Sequence, residues 1–381
     1  MPDRVLREMH RASPNIYEGD LIEMVAGIIP DLKAVARTKH NATIYIANGH
    51  GSWEAAIANV LAPGDEALVL STGRFALGWA EVAERHGVNC TVLDFGNRDT
   101  IDFNKVEDVL RADKGHRIKA VMTVQVDTAT SIKNDIPGLR KLIDTIGHPA
   151  LFMVDCIASL GCDRFEMDDW GVDVMVTGCQ KGLMTPAGTS FVFFNDKADA
   201  VRSEMERVSY YWDWRPRANP EIFSQYFAGT APTHHLFGLR AALDMIREEG
   251  IENVWARHAT LALAYWAALE AWGSDGPMEM NVSDPAMRSH AVTAIRIGAP
   301  HGARLRKWLE QNAGVTLGIG LGMAEPGDPK AEGFFRIGHM GHVNTHMVLG
   351  VVGAIEAGLQ ALDIPHGKGA TAAAAAVCAT G

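Results

Sequence analysis

At 381 residues the chain is too long for one compact core and about right for one large and one smaller domain. Hydrophobic residues make up 47% and charged residues 21%, and a net charge of -11 with no Lys- or Arg-rich stripe excludes a basic surface for nucleic acid or anionic membrane. Five cysteines without a CxxC pair argue against a disulfide framework or zinc ribbon. No apolar run reaches the roughly 18 to 20 residues a bilayer needs, and no apolar region follows Met1-Pro2-Asp3-Arg4, so a cytoplasmic protein without a signal peptide is expected.

Strand-like and helix-like patterns alternate from about Ala42 to Phe194. Ala42 to Ala47 reads as a strand and Ser52 to Leu61 as a helix. The turn Pro63-Gly64-Asp65 leads into a strand from Glu66 to Leu70, a helix from Phe75 to His86 and a strand from Cys90 to Phe95. Ile118 to Val126 and Ala150 to Val154 repeat the short, apolar type around a helix near Ile136 to Ile146, and Val172 to Thr177 and Thr189 to Phe194 complete the series. Short apolar strands separated by helices predict an α/β fold with a mainly parallel sheet covered on both faces.

Tyr210 to Pro220 is irregular, aromatic and proline-containing. Its Trp212 and Trp214 could shape a substrate entrance or pack at a subunit contact. Two long helices follow, His234 to Glu249 and Val254 to Trp272. A smaller α+β unit then has strands near Ala291 to Ile297 and Phe334 to Ile337. The division expected is 1–250 for a large domain, 251–365 for a small one, and a low-complexity, poorly ordered tail over 366–381.

In such a sheet, ligands sit at the carboxyl ends of strands, near helix N-termini. Asn48-Gly49-His50-Gly51-Ser52 joins a strand to a helix. Its glycines permit close backbone approach and the helix start offers N–H groups to an anion such as phosphate. Taken alone the segment reads first as a plain βα turn, and Glu54 stands where a dinucleotide fingerprint needs its third glycine. Asp155 ends an apolar strand, where a carboxylate needs a cationic or hydrogen-bonding partner; a pyridinium nitrogen is one, a helix cap another. Lys181, in Thr177-Gly178-Cys179-Gln180-Lys181-Gly182, follows a buried strand amid small residues and could form an imine with an aldehyde cofactor. Asp155 and Lys181 lie 26 residues apart, enough for a loop and one returning strand that brings both to one crevice. His339, His342 and His346 hint at a metal, but Gly338 and Gly341 make this a loop with no supporting acid, and no metal is expected.

Gly178-Cys179-Gln180-Lys181, with Pro186 and Gly188 behind it, resembles the Gly-Ser-Gln-Lys segment of class V aminotransferases, in particular the serine–glyoxylate and alanine–glyoxylate group. Asn48 to Ala55 resembles the family's phosphate-binding segment, and the likeness runs from about Pro2 to the Gly-rich tail. The resemblance implies fold type I: a large domain with a mainly parallel seven-stranded sheet, a smaller C-terminal α+β domain, and pyridoxal 5'-phosphate (PLP) as cofactor. It implies Lys181 as the residue bonded to the cofactor, Asp155 as partner of the pyridinium nitrogen, and Phe75 and Ile157 on the two ring faces. Gly49, His50, Gly51, Thr128 and Gln180 would also bind the cofactor, with Thr230 reaching the phosphate of the neighbouring subunit in a homodimer. Arg336, in Phe335-Arg336-Ile337-Gly338-His339, would bind the substrate carboxylate.

The implied reaction is ping-pong transfer of an amino group from alanine or serine to a 2-oxo acid such as glyoxylate. The alternatives are a pyridoxamine–pyruvate-type or other class V PLP enzyme, or a catalytically impaired PLP-binding homologue. The last arises because the family's usual Pro-Gly-Pro segment lies before the point where this chain starts. A desulfurase would need a cysteine on a mobile loop in the second half, where Cys378 alone follows Cys179.

Overall fold

The structure, a computed structural model, describes residues 1–325 and 327–380. Seven strands form the principal sheet: β1 Asn41–Tyr45, β2 Glu66–Ser71, β3 Asn89–Asp94, β4 Ile118–Val124, β5 Leu151–Asp155, β6 Val174–Gly178 and β7 Ser190–Phe194. Their order is β1-β7-β6-β5-β4-β2-β3, parallel from β6 to β3, with β7 antiparallel to both β6 and β1. All five residues of β5, of β6 and of β7 are buried, because helices cover both faces.

One face is closed by a core that includes Leu68, Phe152, Met175 and Phe193 of the sheet, packed under helices Asp20–Ala36, Ile136–Ile146 and Thr233–Glu249. The other contains Trp53, Trp79, Val124 and Val176, under helices Gly49–Val60 and Arg74–Arg85. Two N-terminal helices that no motif announced, Asp3–Met9 and Asp20–Ala36, pack against Thr233–Glu249.

Beyond helix Ile251–Gly273 lies a second sheet of β8 Glu279–Met280, β9 Val292–Arg296, β10 Gly318–Ile319 and β11 Phe334–Gly338. Its order is β10-β11-β9-β8, antiparallel throughout. A third core, with Trp272, Ile295, Leu305, Phe335 and Val352, joins it to helices Ile251–Gly273, His301–Asn312 and Thr345–Ala361.

Two expectations need correction. The tail was expected to be poorly ordered, but Ala370–Thr380 is a helix lying on Ile251–Gly273, with Ala370 and Ala374 buried in the third core. Alanine has the best helix propensity, and its small side chain lets two helices approach closely. Trp214 is neither an entrance nor a subunit contact: it is fully buried, stacked on Phe194 at 4.0 Å, with its indole N–H donated to Asp199.

Candidate active site

The carboxyl ends of β4, β5 and β6 open onto one cavity of about 290 Å³. Gly49, His50, Phe75, Thr128, Asp155, Ile157, Gln180 and Lys181 line it together, and so do Asn48, Trp53, Val126, Ala158 and Ala187. Gly51 does not. A Cβ there would point at Ala47 and Trp212, and its N–H is directed to the Asn48 side chain at 3.3 Å. Asn48 caps helix Gly49–Val60, accepting also from the His50 N–H at 3.1 Å.

Asp155 sits at the last position of β5, 4% exposed. Its Oδ1 accepts from the Ile157 N–H at 2.6 Å and its Oδ2 from the Trp53 indole N–H at 2.8 Å. Burial nevertheless pushes its carboxyl up to about 7, against the pull of both hydrogen bonds, and the nearby Asp127 carboxylate adds to the rise. An acid held this way favours a cationic partner in the cavity.

Lys181 follows β6 after the residue pair Cys179-Gln180. Burial lowers the pKa of its ammonium, and the positive charge of Arg336 lowers it further. Its segment is tightly held. A Cβ on Gly182 would fall 2.1 Å from the Leu160 carbonyl oxygen, and one on Gly341 would fall 3.0 Å from the Lys181 carbonyl oxygen. Gly341, at φ +80°, is anchored in turn by helix Ile251–Gly273. The His258 Nε2 accepts from its N–H at 2.9 Å and Arg257 donates to its carbonyl at 3.0 Å. His258 is buried, its pKa lowered to about 4, and so serves as a neutral acceptor.

Arg336, on β11, is not among the residues that line the cavity; of those it reaches only Thr128, at the backbone. Nη1 donates to the Thr128 carbonyl at 2.6 Å and Nε to that of Ile319 at 2.7 Å. Thr230 is exposed and outside the cavity of its own chain. His339 is fully buried, with both ring nitrogens engaged, by Thr293 at 3.0 Å and the His290 carbonyl at 2.8 Å. His342 and His346 are exposed.

Trp53 and Asp127 were not anticipated. Trp53 reads as core from its place on an apolar helix, and its partner Asp155 is 102 residues away. Asp127 is fully buried and accepts from the N–H groups of Phe75 and Ala129 at 2.7 and 2.8 Å. The one signal in the sequence was its position beside Thr128.

The residues present fit a planar, phosphate-bearing aldehyde. The Gln180 Oε1 is buried with no partner among the described residues, an acceptor that a donor group of a ligand would satisfy. Gly49 forms a cradle, since a Cβ there would lie 2.3 Å from the Ile157 Cδ1. Asp155 and Lys181 supply the acid and the amine.

Fold and site together define the class V aminotransferases. The family's model matches residues 8–346, and the chain belongs to that family as a PLP-dependent transaminase. It is 36% identical over 386 aligned residues to a serine–glyoxylate aminotransferase of Methylorubrum extorquens, an alignment covering 98% of this chain and 92% of the relative. It is 34% identical to an L-aspartate–glyoxylate aminotransferase of Paracoccus denitrificans, covering 90% and 84%. Among solved structures, ureidoglycine–glyoxylate aminotransferase from Bacillus subtilis superposes with a TM-score of 0.88 at 26% identity, covering 98% of this chain and 94% of the other.

Proposed function

We propose that this chain transfers the amino group of a small L-amino acid, serine or alanine, to glyoxylate. The observation that carries the reading is the meeting of Lys181 and Asp155 in one cavity of about 290 Å³. That volume suits a pyridoxal group and a substrate of few carbons. The lining has one lysine and one histidine as its basic side chains, which favours a donor without a second carboxylate. Glyoxylate as acceptor rests on the relatives named above.

In this reading Asp155 faces the ring nitrogen, with Phe75 and Ile157 on the two ring faces. Gly49, His50 and Gln180 surround the phosphate, and Thr128 lines the cofactor cavity with them. The Gly51 N–H, directed to Asn48, contributes through the helix start rather than by a free amide. When bound, the cofactor supplies an aldehyde carbon and a ring that withdraws electrons. Lys181, with its proton affinity reduced by burial and by Arg336, would move a proton at the substrate Cα. The Arg336 guanidinium, pinned at Nε and Nη1, keeps Nη2 for the substrate carboxylate.

Thr230 would complete the phosphate site of a partner subunit in a homodimer. Exposed Ile46 and Ile222 support this, since they flank the segments that lead to Asn48 and Thr230. The third core supports a domain division near residue 250, with the tail helix assigned to the smaller domain. A cytoplasmic location agrees with five unpaired cysteines and with the lack, among described residues, of a helix long and apolar enough to cross a membrane.

The test is absorbance spectroscopy of the protein mixed with PLP, then with L-serine or L-alanine, then with glyoxylate or pyruvate. A visible band that forms with PLP, disappears with the amino acid and returns with glyoxylate supports the reading. A band that never forms, or that Lys181→Ala forms equally well, overturns it.

A further inference from the structure

Trp53 touches three of the groups assigned above to the cofactor. Its indole N–H reaches the Asp155 Oδ2 at 2.8 Å, its ring lies 4.6 Å from the His50 imidazole, and its edge meets Phe75 at 6.3 Å. Behind it the Trp79 ring stacks at 6.1 Å and 18°. Trp53 is 1% exposed, so its N–H has no water to exchange with and is committed to the carboxylate. The Ile157 N–H holds the other oxygen, leaving Asp155 one direction in which to face the cavity.

We propose that Trp53 is a positioning residue for the transamination: its N–H, donated to Asp155, keeps the proton on the cofactor's ring nitrogen instead of on the carboxylate. This rests on the PLP reading given above. A carboxylate that already accepts two hydrogen bonds is a weaker base, so in the pair Asp155–ring nitrogen the proton stays with nitrogen. The same bond counters the rise that burial imposes on Asp155. A protonated ring draws electrons from the substrate Cα more strongly than a neutral one. Removing the indole N–H moves the proton toward Asp155 and weakens that pull, even with packing intact.

The experiment compares the parent, Trp53→Phe and Trp79→Phe, each loaded with PLP labelled with ¹⁵N in the ring. The parent should show a pyridinium-type ¹⁵N resonance. Trp53→Phe should move it toward the neutral-pyridine position, and slow single-turnover reaction with L-serine about ten- to hundredfold, the factor carried by one hydrogen bond to a charged group. Its KM for serine should change little.

Trp79→Phe controls for packing, because the Trp79 N–H has no partner among the described residues. It should leave the resonance in place. An unchanged resonance in Trp53→Phe, or equal shifts in both variants, overturns the proposal. Should Trp53→Phe fail to fold, benzothienylalanine at position 53 keeps the bicyclic shape without the N–H and takes its place. If the parent binds no PLP at all, the cofactor reading itself falls, and the proposal with it.

Discussion

The Asp127 carboxylate holds the backbone of Phe75: its Oδ2 accepts from the Phe75 N–H at 2.7 Å, while Oδ1 accepts from Ala129 at 2.8 Å. One buried acid thus joins the strand end of β4 to the helix that presents an aromatic ring to the cavity. The approach is close, since a Cβ on Gly73 would stand 2.6 Å from the Asp127 Cγ. Asp127→Asn keeps the shape but turns one acceptor into an NH₂ facing a backbone N–H. The unfolding free energy should fall by about 1–3 kcal/mol, the usual cost of a buried donor left unpaired. PLP affinity should fall with it, as Phe75 loses its anchor. Denaturant unfolding and a PLP titration check both, and equal values for parent and variant would show that the carboxylate is not needed there.

Asp155 gives the stability a pH dependence whose sign differs with and without cofactor. Its folded-state pKa of about 7 lies above its ordinary value, so the folded protein binds more protons than the unfolded chain between pH ~4 and ~7. The stabilisation from this group is therefore complete below the unfolded pKa and is lost as pH rises through the folded one. For a shift of about three pH units it amounts to at most ~4 kcal/mol. A cationic ring nitrogen supplies the missing partner and reverses the trend for this group. Cofactor should thus raise the melting temperature more at pH 8 than at pH 5, and Asp155→Asn should flatten the difference. Equal gains at both pH values would contradict the assignment of Asp155.

The alternation of short apolar strands with helices was enough to place β1 to β7 in the chain, and the 26-residue spacing of Asp155 and Lys181 was enough to bring them together. Strand direction was not legible. β7 is buried on both faces, and a strand of that kind reads the same whether it runs parallel or antiparallel. The tail misled for a related reason: a run of alanines has no amphipathic pattern, yet it packs closely along helix Ile251–Gly273. Trp53 and Asp127 were hidden because their roles lie in hydrogen bonds to residues 102 and 52 positions away, which no local pattern encodes.

Arg336→Lys tests the carboxylate site. The guanidinium is held by two backbone carbonyls, Ile319 through Nε and Thr128 through Nη1. A lysine has no planar fork and cannot meet both carbonyls and a substrate at once. Steady-state kinetics should show KM for the amino acid raised about ten- to hundredfold with a smaller change in kcat, the pattern of a lost ground-state contact. PLP binding should be little affected. A fall in kcat alone would move Arg336 from substrate binding to the chemical step.

Gly49→Ala probes how closely the phosphate segment approaches the strand end. A Cβ at that position would lie 2.3 Å from the Ile157 Cδ1 and 3.1 Å from its Cγ1. The obstructing atom is the tip of a flexible side chain, so the fold survives by rotating Ile157, and Ile157 borders the cavity. The displaced methyl then occupies space that the cofactor ring needs. Melting temperature without cofactor should change little, while PLP affinity should drop. Ile157→Val removes the Cδ1 atom, so the double variant should recover part of the lost affinity, a coupling that independent sites would not show. Should Gly49→Ala weaken folding as much as PLP binding, with no recovery from Ile157→Val, the segment would be a structural turn and the phosphate would have to be held elsewhere.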